Sequence, residues 1–398
     1  MSRLGRSLRN SLGEDRWCLL QLFVAVAACW LVATSYARPR IQAKGQVAGQ
    51  EVNTTLDSEI ARYYLEECLT GPRVRVCNDR SIREALTMAD GLPLSNEVLH
   101  DLTEKFSTDF ATVYFVERIH RDGFNRRLQE AFRAELAFIR ANATQQSLGL
   151  PEKYQEYLFV FIPGYAYKKD TTTGADFARQ RRLLDQAGWR TILIQTEELG
   201  TVEENARIVA RDLVRLAQQN RPIVLVSASK GSPEVALVLG RELAPVQLKA
   251  VRAWVSIGGL LRGSPYADHA LKWPMSWAAW LVLLAQGLKP SVIRDLSTLE
   301  RRPVFERLSF PEHILMIQYV GVPLSGHIEK DVRGRYNALR KMGPNDGLTL
   351  LVDEIISAGG VITDIGLDHY YRDREIELKT TALARVVLKE LDLRDLQK

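Results

Sequence analysis

Residues 223–231 hold the spacing most suited to covalent chemistry. The apolar run Ile223, Val224, Leu225 and Val226 leads into Ser227, Ala228, Ser229, Lys230 and Gly231, and a helix-like continuation follows. The pattern S-x-S-x-G is one residue away from G-x-S-x-G, in which small neighbours let the backbone pass close and hold a serine hydroxyl on a strained, exposed turn. Ser227 is small enough to stand where the first glycine would be, and Pro233 is tolerated in a first helical turn. An ordinary strand-to-helix turn with a serine in it reads the same over five residues. The rest of the chain must therefore supply what a serine nucleophile needs: a general base, an acid to orient that base, and donors for an oxyanion.

Six histidines are available as the base: His100, His120, His269, His313, His327 and His369. His100 and His120 sit in helical patterns that suit packing or surface roles. His369 is best placed, in a loop after the last apolar strand and before the final helix. For the acid, Asp346 stands in the rigid turn from Gly343 to Gly347; turn chemistry by itself also explains Asn345, Asp346 and Gly347. Asp331, Asp353, Asp364 and Asp368 are its rivals. For the oxyanion, Pro163 and Gly164 end an apolar run, so the backbone N–H of Tyr165 is expected to act with that of Lys230, the residue after the serine.

Positioning these groups requires a sheet. Beyond Pro151 short apolar runs alternate with amphipathic helices, the pattern of βαβ units and a mostly parallel sheet flanked by helices, an α/β fold. Strands are expected at Leu158 to Ile162, Thr191 to Gln195, Ile223 to Val226, Val251 to Ile257, Ile314 to Val320 and Gly360 to Thr363. Thr201 and Glu204 have the spacing of a capping box, and the last helix is expected from Ile376 to Leu391. One stretch, Trp273 to Leu284, breaks the alternation within an insertion at about 262–305. It reads either as a lid dipping tryptophans into a membrane interface or as a buried core helix.

Upstream, residues 55–150 read as a helical extension. Ser81 and Glu84 have capping-box spacing, and Leu128, Phe132, Leu136 and Ile139 form a stripe that suits packing against the following domain. Residues 37–54 show no periodicity and read as a tether. After a short tail at 1–16 carrying Arg3, Arg6, Arg9 and Arg16, the apolar segment 17–36 is long enough to cross a bilayer. It reads as an uncleaved anchor, a cleaved signal or a lipoprotein signal at Cys29. Each places the folded body on the periplasmic or other extracytoplasmic side, with the lipid bilayer as a partner. Cys68 and Cys77 are the cysteines outside that segment and would close a short disulfide loop in an oxidising compartment, or remain two thiols. No histidine lies near them, so a metal site is not expected there. The net charge of +5 is spread along the chain, without the basic stripe that nucleic-acid binding needs.

Taken together, the Pro163-Gly164 turn, Ser229, Asp346 and His369 come in the order found in the α/β-hydrolase superfamily, and the chain resembles its serine lipases and esterases from about Leu158 to Leu391. The stretch from Leu261 to Asp268 is similar to the R-G-S-x-x-A-D segment preceding the lid in many lipases, and Asn345 to Leu348 is similar to the turn around the lipase acid. Three positions depart from the pattern: Ser227 stands for glycine in the elbow, Lys230 places a cation beside the oxyanion site, and Pro163 precedes Gly164 where a histidine is usual. The resemblance implies Ser229 as nucleophile, His369 as general base and acid, Asp346 as its orienter, and no cofactor or metal. The expected activity is cleavage of carboxylic esters with a lipid-like or apolar acyl group. Acyl transfer by the same triad, or an inactive envelope scaffold on the same fold, are the alternatives.

Overall fold

Where the sequence reads as a tether, the chain folds. In the computed structural model, which describes residues 40–69, 77–142, 152–169, 174–272 and 290–397, β1 (Ile41–Val47) and β2 (Gln50–Leu56) pair as an antiparallel hairpin. Its two-residue loop, Ala48 and Gly49, has φ of 51° and 72°, the left-handed pair of a type I′ turn. Ala43, Val47, Val52, Thr54 and Leu56 face inward, and the hairpin escaped the sequence reading because alanine replaces the asparagine that usually marks such a turn. The apolar segment 17–36 and the stretch Trp273 to Leu284 lie outside the described residues. Among the described residues, no helix is long and apolar enough to cross a membrane.

Among the described residues, five α-helices lie between the hairpin and the sheet: α1 (Glu59–Tyr63), α2 (Arg80–Asp90), α3 (Asn96–Lys105), α4 (Thr108–Arg121) and α5 (Gly123–Ala141). Short polar side chains start each: Ser58, Asp79, Ser95, Ser107 and Asp122 all accept a backbone N–H two or three residues on. The helix expected to start at Ser81 is thus capped by Asp79, whose carboxylate also takes the Ser81 hydroxyl at 2.8 Å. Cys68 and Cys77 are joined by a disulfide.

The expected stripe on α5 (Leu128, Phe132, Leu136 and Ile139) is buried in one core with the sheet. Ile41–Lys398 form one compact unit, so the extension belongs to the same folded body.

Six parallel strands make that sheet: β3 (Leu158–Ile162), β4 (Arg190–Leu193), β5 (Ile223–Ala228), β6 (Val251–Ile257), β7 (Leu315–Val322) and β8 (Gly360–Ile365), in the order β4-β3-β5-β6-β7-β8. The strands read as continuous apolar runs because both faces are covered. Phe159, Phe161, Val224, Val226 and Val255 face α5, α6 (Ala178–Gln186) and α13 (Ile376–Leu396). Leu158, Val160, Ile162, Leu225 and Trp254 face the other way, against α7 (Val202–Ala217) and α8 (Gly231–Leu237). The capping box expected at Thr201 and Glu204 opens α7. Shorter helices fill the remaining connections: α9 (Pro265–Leu271), α10 (Pro290–Asp295), α11 (Thr298–Phe305) and α12 (Arg333–Leu339). From β3 the chain leaves to one side, towards β4, and from its neighbour β5 to the other, towards β6. A crevice opens outside the carboxyl ends of two strands whose connections diverge in this way.

A buried acid pair joins the extension to the sheet domain. Asp109 on α4 accepts from Asp57 N at 2.7 Å and Ser325 N at 2.9 Å. Burial first, and then the adjacent Asp57, raise its pKa to about 8. The folded state then holds the proton more tightly than the unfolded chain, so this contribution is complete at low pH and is lost as pH rises from about 4 towards 8. Asp109→Asn is expected to flatten the loss of stability between about pH 5 and pH 8. Urea midpoints measured across that range check it, and equal slopes for variant and parent would contradict it.

Candidate active site

Ser229 stands at the crevice between β3 and β5. Its φ is +49°, a left-handed conformation that costs a non-glycine residue energy and is kept only where neighbours enforce it. Its N–H is held by Ile257 O at 3.0 Å, and its carbonyl accepts from Ser232 N and Leu260 N at 3.1 and 3.2 Å. Gly231 is required by packing: a Cβ there would lie 2.6 Å from Pro163 O and 2.8 Å from Ile162 O. Ser227 does more than replace a glycine. Buried beneath the turn, it accepts from Trp254 Nε1 at 2.8 Å and shares a hydrogen bond with Ser232 Oγ at 2.9 Å, while Ser256 Oγ donates to Ser232 Oγ at 3.0 Å. This fully paired polar cluster ties β5, β6 and α8 together under Ser229.

The structure brings His369 and Asp346 to that serine. Ser229 Oγ lies 3.0 Å from His369 Nε2, and His369 Nδ1 lies 2.5 Å from Asp346 Oδ2. Asp346 is 1 % exposed, and its other oxygen accepts from Leu348 N and Thr349 N, each at 2.8 Å. The turn residues that made Asp346 ambiguous thus aim its free oxygen at the imidazole. His369 N donates to Asp346 O at 2.9 Å, so backbone and side chain fix the two loops together.

None of the rival acids bonds the imidazole. Asp331 pairs with Arg372, Asp353 with Arg302, and Asp364 with Lys379, while Asp368 accepts from Tyr370 N and Glu329 N. The other histidines stand elsewhere: His100 meets Lys341 O and His313 meets Leu248 O. His327 accepts from Leu324 N, and burial lowers its pKa to about 4.

Gly164 brings the β3 turn beside the serine, since a Cβ on it would lie 3.6 Å from Ser229 Cβ. The backbone N–H groups of Tyr165 and Lys230 make no hydrogen bond among the described residues. Two unspent donors beside a serine held by an imidazole can receive developing negative charge on oxygen.

The Lys230 side chain turns away from this crevice into the protein. It is 2 % exposed, and Nζ donates to Glu234 Oε1 at 2.5 Å. Burial raises the pKa of Glu234, with Lys230 opposing. Asn205 Nδ2 on α7 bonds the same oxygen at 2.7 Å and Glu197 O at 2.9 Å, and Asn205 Oδ1 accepts from Glu197 N. Next along the chain, Glu198 Oε2 accepts from Lys168 N and Lys169 N, and Glu198 O from Ala166 N. One continuous network therefore links the residue after the serine to the turn that carries Tyr165. Sequence reasoning missed Glu234, although its i+4 spacing from Lys230 was a readable signal. Asn205 had none, being remote in sequence.

Ser229, His369 and Tyr165 open into a cavity of about 1370 Å³. No protein-family model matches the chain, and no curated protein matches it. Among solved structures, it is similar to a metagenomic carboxyl esterase at 17 % identity, with 66 % of this chain and 91 % of that one covered and a TM-score of 0.53. A Bacillus licheniformis lipase in its mature form aligns at 18 % identity over 62 % of this chain and 95 % of its own, with a TM-score of 0.47. With its parallel sheet in the order β4-β3-β5-β6-β7-β8, a serine turn after β5 and the likeness to the carboxyl esterase, the chain has the α/β-hydrolase fold.

Proposed function

We propose that this protein is a serine hydrolase that cleaves carboxylic esters with an apolar acyl group. The observation that carries the reading is the hydrogen-bonded line from Ser229 Oγ through His369 to Asp346, with its serine on a positive-φ turn at the mouth of a cavity. In this reading His369 Nε2 takes the Ser229 proton as Oγ attacks the ester carbonyl. Asp346 holds the imidazole in the tautomer that can accept and stabilises the cation formed. The N–H groups of Tyr165 and Lys230 receive the oxyanion. His369 then returns the proton to the departing alcohol, leaving an acyl-Ser229 that water, activated by the same imidazole, hydrolyses.

The protein is further proposed to work on the periplasmic or other extracytoplasmic side, held to the membrane through the apolar segment 17–36. That segment's length and the Cys68–Cys77 disulfide support this placement.

Steady-state hydrolysis of p-nitrophenyl butyrate tests the reaction. Ser229→Ala is expected to lower kcat by about 10³ or more. A variant within about tenfold of the parent would overturn the assignment of the nucleophile.

A further inference from the structure

The cavity beside Ser229 is lined by more cations than acids: Arg179, Arg182, Arg335, Arg372, Arg374 and Lys379, against Asp176 and Asp373. Three of the cations already have carboxylates. Arg179 pairs with Glu377, Arg372 with Asp331, and Lys379 with Asp364 and Asp373. Arg335 on α12 is different. The nearest acid in the sequence, Asp331, gives both oxygens to the guanidinium fork of Arg372, at 2.8 and 2.6 Å, and Arg335 makes no ion pair among the described residues. It is half-buried and held in place. Its guanidinium carbon lies 5.1 Å from the centre of the Tyr370 ring, and Nη2 donates to the Tyr370 hydroxyl at 2.9 Å. Tyr370 in turn stands edge-on to His369, with ring centres 6.3 Å apart. A guanidinium carries five N–H donors in a fixed fork, and among the described residues Arg335 spends one, on that hydroxyl. Fixed on an aromatic face with its other donors unspent, it is preorganised for a carboxylate or a phosphate.

We propose that Arg335 receives an anionic group, phosphate or carboxylate, on the alcohol half of the ester. The proposal rests on Ser229 being the nucleophile of an ester hydrolase. Which half meets Arg335 follows from the path of the proton. His369 Nε2 must reach the departing oxygen, so the alcohol leaves on the imidazole side, where Tyr370 and then Arg335 stand. An alcohol with about three carbons between the ester oxygen and the anion spans about 6 Å at bond lengths of about 1.5 Å. That length matches the step from the imidazole to the phenol ring. Arg182 and Arg374, exposed at the same cavity, add a longer-range field that draws an anionic ester towards it.

Two pairs of esters that share one acyl group test the assignment. Monobutyrylglycerol is compared with butyrylglycerol phosphate, and butyryloxypropanamide with butyryloxypropanoate, so that each pair differs in charge on the alcohol half. The wild-type protein is expected to favour at least one anionic ester in kcat/KM by about fivefold or more, the worth of a charged hydrogen bond partly screened by solvent. That preference should shrink as ionic strength is raised. Arg335→Gln is expected to remove most of it, and Arg335→Lys, which keeps the charge and loses the fork, to retain a part. Tyr370→Phe frees Arg335 from its hydroxyl anchor and is expected to lower the same ratio by less, which supplies the test if the Arg335 variants do not fold. No preference for either anion, or a preference left intact in Arg335→Gln, would overturn the proposal and leave the hydrolase reading standing. So would an equal loss on charged and neutral esters, which would make Arg335 a support for His369 through Tyr370. A wild-type protein inactive on all four esters would overturn both.

Discussion

Asp346→Asn is expected to lower kcat for ester hydrolysis by about 10⁴ with little change in KM. The reason lies in which atoms of Asp346 are already engaged. Oδ1 accepts two backbone N–H groups, from Leu348 and Thr349, and only Oδ2 faces His369 Nδ1. An asparagine must keep its carbonyl on the two N–H donors and so turns its amide N–H₂ towards the ring. His369 Nδ1 then becomes an acceptor and Nε2 carries the proton, which leaves it unable to take one from Ser229 Oγ at 3.0 Å. The side chain keeps its shape and the fold its stability, so the loss is confined to the chemical step. Kinetics with a short-chain ester, together with an unchanged unfolding curve, check this. A loss smaller than about tenfold would show that Asp346 does not govern the tautomer.

Lys230→Met is expected to lower folding stability by about 3–5 kcal/mol, because it leaves Glu234 in the interior without its cation. Glu234 is 1 % exposed, keeps only the Asn205 amide on Oε1, and its Oε2 has no partner among the described residues. Adding Glu234→Gln to Lys230→Met removes the stranded charge and is expected to restore most of the stability, since replacing both partners of a buried pair is far less damaging than removing one. The sign with pH follows from the raised pKa of Glu234. A carboxyl that binds its proton more tightly when folded stabilises the folded state at low pH and loses that contribution as pH rises. Lys230 opposes that raised pKa, so without it Glu234 binds its proton more tightly still, and the Lys230→Met deficit should be smaller at low pH, where Glu234 is protonated, and grow as pH rises. Urea unfolding of the single and double variants measures it. A double variant no more stable than the single one would mean that Lys230 acts through its packing alone.

The parts of the site legible in the sequence are those built from local chemistry. Ile223 to Val226 followed by small residues marks a buried strand ending in a close turn, and Gly231 is small because Pro163 O and Ile162 O crowd it. Asn345, Asp346 and Gly347 announced a rigid turn, and only the fold could show that the turn's own hydrogen bonds leave one carboxylate oxygen for His369. The hairpin from Ile41 to Leu56 was illegible because its turn puts alanine, where asparagine usually signals such a turn, at positive φ. The network through Asn205 was illegible for a different reason: its partners meet only after α7 docks on α8. Lys230 shows the limit from the other side. Its charge looked like a feature of the crevice, whereas its stem carries it into the core and only its backbone N–H stays beside Ser229.

The central claim is that Ser229 is the nucleophile, and the most direct test is covalent capture. The full-length protein is treated with a fluorophosphonate at neutral pH, followed by intact mass and peptide mapping. A single adduct on the peptide bearing Ser229, absent from Ser229→Ala and strongly slowed in His369→Ala, is the predicted result. Equal labelling of the parent and Ser229→Ala, or no labelling of a folded parent, would contradict it.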